Sequence, residues 1–325
     1  MPGRMSSLCA RLCAALLMLV GTAALGWAQV PAFYKDMSGA VWVVKDITRP
    51  LAAWPSLGLE DIRDHGRIVM DAAGPRSARF VSGRLGRFAV EILQPDSGDA
   101  VFDGFLQRHG DGVFAVVHVV PDRPSLEAET ARLGKLGVGV LRTMQAGGAQ
   151  YTFFDTEAQG KYVLGLVWRP QAAALTGPVK VTHLGLVIRD PAPVSAFWHR
   201  LGFPEMALAD AGPRADGRYH GQPLWFSFRV GWHNYTHPTF EWIVPPLDPP
   251  NCYADFLRLH GEGVQHLGVP VDNLESAVEH YTKLGYAPVQ SGAWGNVGQP
   301  GSGRYAYMDT AALGGVNIEL IHAIR

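Results

Sequence analysis

A short stretch occurs twice in this chain, and that repetition constrains the fold more than any other feature. Phe105–Val113 reads FLQRHGDGV and Phe256–Val264 reads FLRLHGEGV, 151 residues further on. Each copy runs into a strand-like segment, FAVVHVV after the first and QHLGVPV after the second. Upstream, Val90-Glu91-Ile92 corresponds to Phe240-Glu241-Trp242 with a one-residue gap. Two halves of roughly 150 residues built on one plan are the expectation.

Each half subdivides again. Four times a β-rich run ends near an Asp, an amphipathic stretch follows, and a Leu-Gly pair closes it. The sets are Asp46 with Leu57-Gly58, Asp122 with Leu136-Gly137, Asp190 with Leu201-Gly202, and Asp272 with Leu284-Gly285. An Asp at a helix start accepts orphan backbone N–H groups, and a Gly just past the end takes up the left-handed cap. The Gly-, aromatic- and β-branched-rich sequence after each pair suits several short strands. The expected unit is therefore β-α-β-β-β. Four copies in two pairs make an α+β fold of two cup-shaped, mixed-sheet halves. Segments near Ser97-Gly98-Asp99 and Leu247–Asn251 link units within a half, and Arg169–Pro178 links the halves.

Composition agrees with two globular domains. At roughly 150 residues per domain, 325 residues suffice for two cores. With 47% hydrophobic and 18% charged residues, disorder is disfavoured. A net charge of −1 without a Lys/Arg-rich run lacks the footprint of a nucleic-acid binder. Residues 1–28 read as a secretory signal. Arg4 and Arg11 precede the apolar run Leu12–Gly26, and small residues lead to expected cleavage after Ala28. One domain is expected over 29–174 and a second over 175–325. The mature protein would be exported, periplasmic or secreted, without stable membrane insertion. Cys9 and Cys13 would leave with the signal, so Cys252 alone remains and no internal disulfide forms.

The chemistry concentrates in the third and fourth units. Their opening strands read Val181-Thr182-His183-Leu184-Gly185 and Val264-Gln265-His266-Leu267-Gly268. Residues i and i+2 of a strand share a face, so each His stands beside a Gly that leaves space for an ion. The closing strands carry Glu241 and Glu319 in apolar surroundings, where an unpaired charge is costly. If the units close into one cup, two His and two Glu meet in a mixed N/O site for a divalent ion.

These motifs resemble the vicinal oxygen chelate superfamily, which includes glyoxalase I, methylmalonyl-CoA epimerase, extradiol dioxygenases and the fosfomycin and bleomycin resistance proteins. Phe240-Glu241-Trp242 through Gln265-His266, and Tyr307-Met308-Asp309-Thr310 through Glu319-Leu320, are particularly similar to the epimerase-like branch. The resemblance implies that His183, Glu241, His266 and Glu319 ligate one divalent metal ion: Zn, Co, Ni, Mn or Fe. It also implies a small-molecule substrate, and it allows a homodimer. Glu319 and Glu241 become the candidate catalytic bases of an isomerase, epimerase or lyase. In the N-terminal half Gly39, Ala115 and Gly165 fall where His183, His266 and Glu319 sit, and only Glu91 persists, so no metal is expected there. His118 lies three positions beyond the required slot.

Two other readings stay open. Extradiol dioxygenases hold iron with two His and one Glu, for which His183, His266 and Glu319 would suffice, and His220, His233, His237, Tyr305 and Tyr307 offer further proton carriers. A non-catalytic small-molecule binder is the third. Trp225, Phe226, Phe228 and Trp232 are candidates for an apolar cavity wall. His109 and His260 are expected to be turn or packing residues.

Overall fold

A computed structural model describes residues 30–70, 76–170 and 176–324. The proposed signal, with Cys9 and Cys13, lies outside the described residues. The first sheet contains β1 (Gly39–Val43), β2 (Glu60–Val69), β3 (Ser77–Leu85), β4 (Phe88–Pro95), β5 (Gly112–Val119), β6 (Val140–Ala146), β7 (Ala149–Phe154) and β8 (Val163–Trp168). Its strand order is β2-β3-β4-β1-β5-β8-β7-β6. The second contains β9 (His183–Val187), β10 (Ala207–Ala211), β11 (Ala215–Tyr219), β12 (Gln222–Pro223), β13 (Phe228–His233), β14 (Thr239–Val244), β15 (Gly263–Pro270), β16 (Pro288–Trp294), β17 (Gly303–Met308) and β18 (Asn317–Ala323). Its order is β10-β13-β14-β9-β15-β18-β17-β16-β11-β12. The helices are α1 (Thr48–Ala53), α2 (Ala100–His109), α3 (Arg123–Lys135), α4 (Glu157–Gly160), α5 (Pro191–Arg200), α6 (Cys252–Leu259) and α7 (Leu274–Lys283).

Four β-α-β-β-β units account for this order. In each, the first strand pairs parallel with the last: β1 with β4, β5 with β8, β9 with β14, and β15 with β18. Antiparallel pairs β1–β5 and β9–β15 then join two units into one curled mixed sheet. The helix boundaries follow from capping chemistry. Asp122 and Asp190 accept backbone N–H bonds at the starts of α3 and α5, and Asp46 does so just before α1. In the fourth unit the cap is Asn273, one residue beyond the expected Asp272, and its Oδ1 accepts from the Ser276 N–H at 2.8 Å. Gly58, Gly137, Gly202 and Gly285 all have φ between +81° and +94°, a region that costs any side-chain-bearing residue.

One element departs from the plan. The third unit carries an extra hairpin, β11–β12, between β10 and β13. Its first strand leaves its own unit to pair antiparallel with β16 of the fourth. The second sheet is thereby strapped across from one unit to the other.

Strand alternation divides the interior into three cores. Along β1, Ala40 and Trp42 face the opposite sheet, while Val41 and Val43 face their own cup; along β9, Leu184 and Leu186 do the first and Val187 the second. The largest core lies between the sheets and draws on both, with Trp42, Trp54, Trp198, Phe240 and Trp242 among its buried members. Polar bonds across the junction are specific: the Trp198 Nε1–H donates to the Gly160 carbonyl at 3.0 Å and the Trp54 Nε1–H to the Leu313 carbonyl at 2.8 Å. The two copies of the repeated sequence meet here, on α2 and α6. His109 Nδ1 donates to the His260 carbonyl and His260 Nδ1 to the His109 carbonyl, both at 2.6 Å. This packing role is the one expected for the pair.

His118, on β5, is buried, and its Nδ1–H donates to the Asp36 carbonyl at 2.8 Å. Asp36 in turn bridges to His237 of the second half, so the imidazole helps to fasten the N-terminal segment between the sheets. Burial pulls its pKa down to about 4. An unfolded chain takes up that proton near 6.5, so the stabilisation is whole above pH 6.5 and is lost as pH falls to 4, about 3 kcal/mol at most. His233, also held near 4 by burial, acts in the same window. His118→Asn retains a side-chain N–H for Asp36 and is expected to flatten part of the fall in melting temperature between pH 6.5 and 4. An unchanged acid limb would assign that fall to other groups.

Candidate metal centre

The pairing register of four adjacent strands brings the four acidic and imidazole side chains together. Glu241 on β14 stands opposite Gly185 on β9, which stands opposite His266 on β15. On the next rung in register, His183 on β9 stands opposite Gly268 on β15, which stands opposite Glu319 on β18. Each rung thus has a donor on either side of a glycine. The glycines are sterically required. A Cβ on Gly185 would sit 1.7 Å from His266 Cε1, and one on Gly268 would sit 2.2 Å from His183 Cε1. The rings lie over the glycine backbone and turn their Nε2 atoms inward.

The inward atoms are close. His183 Nε2 is 3.2 Å from His266 Nε2, 2.9 Å from Glu319 Oε2 and 3.4 Å from Glu241 Oε2. His266 Nε2 is 3.3 Å from Glu241 Oε2 and 3.4 Å from Glu319 Oε2. All four donor atoms lie within 4.8 Å of one another. Metal–nitrogen and metal–oxygen bonds of about 2.0–2.2 Å, meeting at 90° to 109°, separate their donors by about 2.9–3.4 Å. The cluster therefore has the spacing of a divalent-cation site. Glu241 Oε2 is buried without a hydrogen-bond partner, which a cation would supply.

Outer contacts set the tautomers. Gln265 Oε1 accepts from His266 Nδ1 at 2.6 Å. The Thr182 hydroxyl donates to the Gly268 carbonyl and lies 3.3 Å from His183 Nδ1, where it can accept. With both Nδ1 atoms engaged as donors, each Nε2 faces the centre and presents a lone pair there once the proton held in the cluster is displaced, the arrangement that orients metal-binding imidazoles. Burial lowers the pKa of His183, but the facing carboxylates of Glu241 and Glu319 outweigh it and raise the ring to about 10. Burial likewise opposes ionisation of Glu241, and the two imidazoles overcome it and hold the carboxyl well below the usual range. A proton occupies the cluster in the absence of a cation, and cation binding would release it.

His183, Glu241 and Glu319 of the cluster form one wall of a cavity of about 450 Å³. Phe228, Trp232, Tyr305 and Tyr307 also line it, whereas Trp225 is exposed on the surface and Phe226 stacks behind Phe228. The Tyr253 hydroxyl donates to the Tyr307 hydroxyl at 2.8 Å, and the Tyr307 ring meets His266 edge-on. The other histidines considered as proton carriers do not line this cavity. His220 is exposed in the β11–β12 turn, His233 is buried and accepts from Trp242 Nε1, and the backbone of His237 bonds to Lys35. Cys252 is a buried free thiol whose pKa burial raises. Sequence reasoning missed Arg214, which reaches the cavity from the segment leading into the strap hairpin. The inserted stretch Gly212–Gly221 is visible in the third unit, but nothing local to it shows that it crosses to pair with β16.

The first half is built differently at the same place. Its registers put Val41 opposite Glu91 and Val117 opposite Gly165, so Gly39, Ala115 and Gly165 take the positions of His183, His266 and Glu319. Glu91 is met instead by Arg169, 2.9 Å away, and by the Tyr151 hydroxyl at 2.5 Å. Burial raises the Glu91 pKa against the opposing pull of Arg169. Phe80, Phe114, Met144 and Phe153 pack into the rest of this cup.

The sequence model of the Glyoxalase/Bleomycin resistance protein/Dioxygenase superfamily matches residues 182–308. No curated protein matches the chain. Among solved structures, a mutant of 4-hydroxymandelate synthase from Streptomyces coelicolor is similar over 90% of this chain and 94% of its own, with a TM-score of 0.60 and 17% identity. A Mn(II)-bound glyoxalase from Novosphingobium aromaticivorans is similar over 90% of this chain and 83% of its own, with a TM-score of 0.48 and 14% identity. The likeness to the synthase concerns the fold.

Gly185 and Gly268 have ordinary strand φ values, so alanine is tolerable to the backbone and clashes only with the imidazoles. Gly185→Ala and Gly268→Ala are each expected to weaken Zn²⁺ or Mn²⁺ binding, measured by calorimetry, at least tenfold, the scale of disturbed metal-site support. Their circular dichroism should remain native. Undiminished metal binding in both variants would show that ring placement does not govern the site.

Proposed function

We propose, from the match of residues 182–308 to the sequence model of the glyoxalase/bleomycin resistance protein/dioxygenase superfamily, that the chain is a metal-dependent isomerase, epimerase or lyase. It acts beside a carbonyl or carboxylate of a small molecule. His183, Glu241, His266 and Glu319 hold the cation. The observation that supports this reading is the fourth donor. Glu241 joins two imidazoles and Glu319 within one donor sphere, where oxygen chemistry on iron needs only two His and one carboxylate.

A divalent cation bound there supplies Lewis-acid stabilisation of negative charge developing on substrate oxygen. The chain does the rest. Glu319 is the preferred base, removing and returning a proton at the carbon next to the substrate carbonyl, with Glu241 as the second candidate. Both carboxylates line the cavity, so either reaches a bound molecule. Its aromatic walls exclude water from the reacting centre and strengthen every charge interaction inside. Residues 29–174 serve as scaffold and 175–325 as the reacting half. The signal-like leader supports an exported enzyme, and this argues against a coenzyme A thioester as substrate.

A second reading, an iron-dependent extradiol-type dioxygenase, is favoured by one observation. The shortest donor contact is His183–Glu319 at 2.9 Å, which places Glu319 with the imidazoles in a two-His, one-carboxylate set, although Glu319 is as far from His266 (3.4 Å) as Glu241 is from either imidazole (3.3–3.4 Å). Solvent exchange separates the two. With metal-loaded protein in D₂O, a panel of α-hydroxy and α-keto acids is expected to gain deuterium at the C–H next to a carbonyl or carboxylate without oxygen uptake. Glu319→Gln should slow that exchange by about 10²–10⁴. Oxygen consumption on a catechol with the iron-loaded protein, and no exchange, would replace the first reading by the second.

A further inference from the structure

Arg214 stands apart from every other Lys and Arg among the described residues of the second half. It lines the cavity together with His183, Glu241 and Glu319, yet its guanidinium pairs with neither carboxylate, nor with any other acceptor among the described residues. Its one specific contact is aromatic: the guanidinium carbon lies over the Phe228 ring, 5.0 Å from the centroid. Such a contact satisfies the face of the cation and leaves its in-plane N–H donors unused, in a fork suited to a carboxylate. A charged group with idle donors, partly withdrawn from water at the side of an aromatic cavity, is costly unless a ligand completes it.

The chain goes to some length to put it there. Arg214 lies between β10 and β11, on the segment that crosses from the third unit to the fourth. Ala215 pairs with Ala293, and the Arg214 stem lies against β16 beside Gly292. A Cβ on Gly292 would come 3.1 Å from Arg214 Cβ and 2.8 Å from the Tyr305 hydroxyl. That glycine lets the arginine stem and the tyrosine ring close on the same spot. Within the hairpin, Gly217 approaches the Leu224 carbonyl so closely that a Cβ would lie 2.5 Å from it. The strap is thus a defined structure whose inward charge is Arg214.

We propose that Arg214 is a specificity-determining residue that receives an anionic group of the substrate, and that the substrate is an organic acid with a planar apolar body. The carboxylate docks in the guanidinium fork. The body lies among Phe228, Trp232 and Trp294, which offer ring faces and edges to a planar group. This assignment names the substrate class of the site described above and rests on that site being where substrate binds. It does not need the cation.

The test uses the full mature chain after chelation, so that failure of the metal reading leaves it interpretable. The probes are 3-phenylpropionate and its neutral isostere 3-phenylpropionamide, followed by quenching of the cavity tryptophans. Wild type should bind the carboxylate about tenfold or more tightly than the amide, the scale of one charge-assisted contact. Arg214→Gln should abolish that preference with amide binding unchanged, and Arg214→Lys should restore part of it. Circular dichroism and melting temperature of both variants establish folding. Equal binding of the two probes by wild type, no binding of either, or a carboxylate preference that survives Arg214→Gln would overturn the proposal.

Discussion

The second half of this molecule depends on one contact repeated twice, an imidazole lying over a strand glycine. A strand residue normally throws its Cβ over the neighbouring strand's side chain, and a ring of this size would be pushed outward. Gly185 and Gly268 remove that obstacle, and each does so for the His on the adjoining strand. The two rings can therefore tip toward each other until their Nε2 atoms are 3.2 Å apart. Antiparallel pairing of β9 with β15 makes the arrangement reciprocal. Parallel pairing of β14 and β18 on either flank delivers the carboxylates to the same rungs.

The same registers explain why one chain has two cups of different character. In the first half the imidazole slots hold Gly39 and Ala115, which leaves nothing to bind an ion, and the surviving Glu91 is neutralised by Arg169 and Tyr151. A guanidinium there supplies the positive charge that a buried carboxylate needs. Aromatic side chains fill the remaining volume, and the half contributes instead to the core between the sheets. A packed cup beside an open one gives the open one a rigid back wall.

Much of this could be read from residues alone, for physical reasons. Leu-Gly pairs and capping Asp residues mark helix ends through local backbone chemistry, which needs no tertiary context. Even so, Asn273 took the cap one position from Asp272, because both side chains accept N–H bonds and the geometry decided between them. His183, Gly185, His266 and Gly268 were legible because strand periodicity puts i and i+2 on one face wherever the strand goes. Arg214 was not legible. Its place depends on a hairpin leaving its own unit to pair with β16, a long-range choice without a local signature. Arg169 was hidden for the same reason, since its partner Glu91 is 78 residues away. The reciprocal bonds of His109 and His260 required knowing that α2 and α6 meet.

All of the proposed chemistry rests on a single cation, which His183, Glu241, His266 and Glu319 would hold at the floor of the open cup. Diffraction from crystals of the full chain soaked in Mn²⁺ or Zn²⁺, collected at the metal's absorption edge, tests this most directly. One anomalous peak bonded to His183 Nε2, His266 Nε2 and the carboxylates of Glu241 and Glu319, with none beside Glu91, is the predicted result. A peak elsewhere, or an undisturbed cluster with no peak at saturating metal, would contradict it.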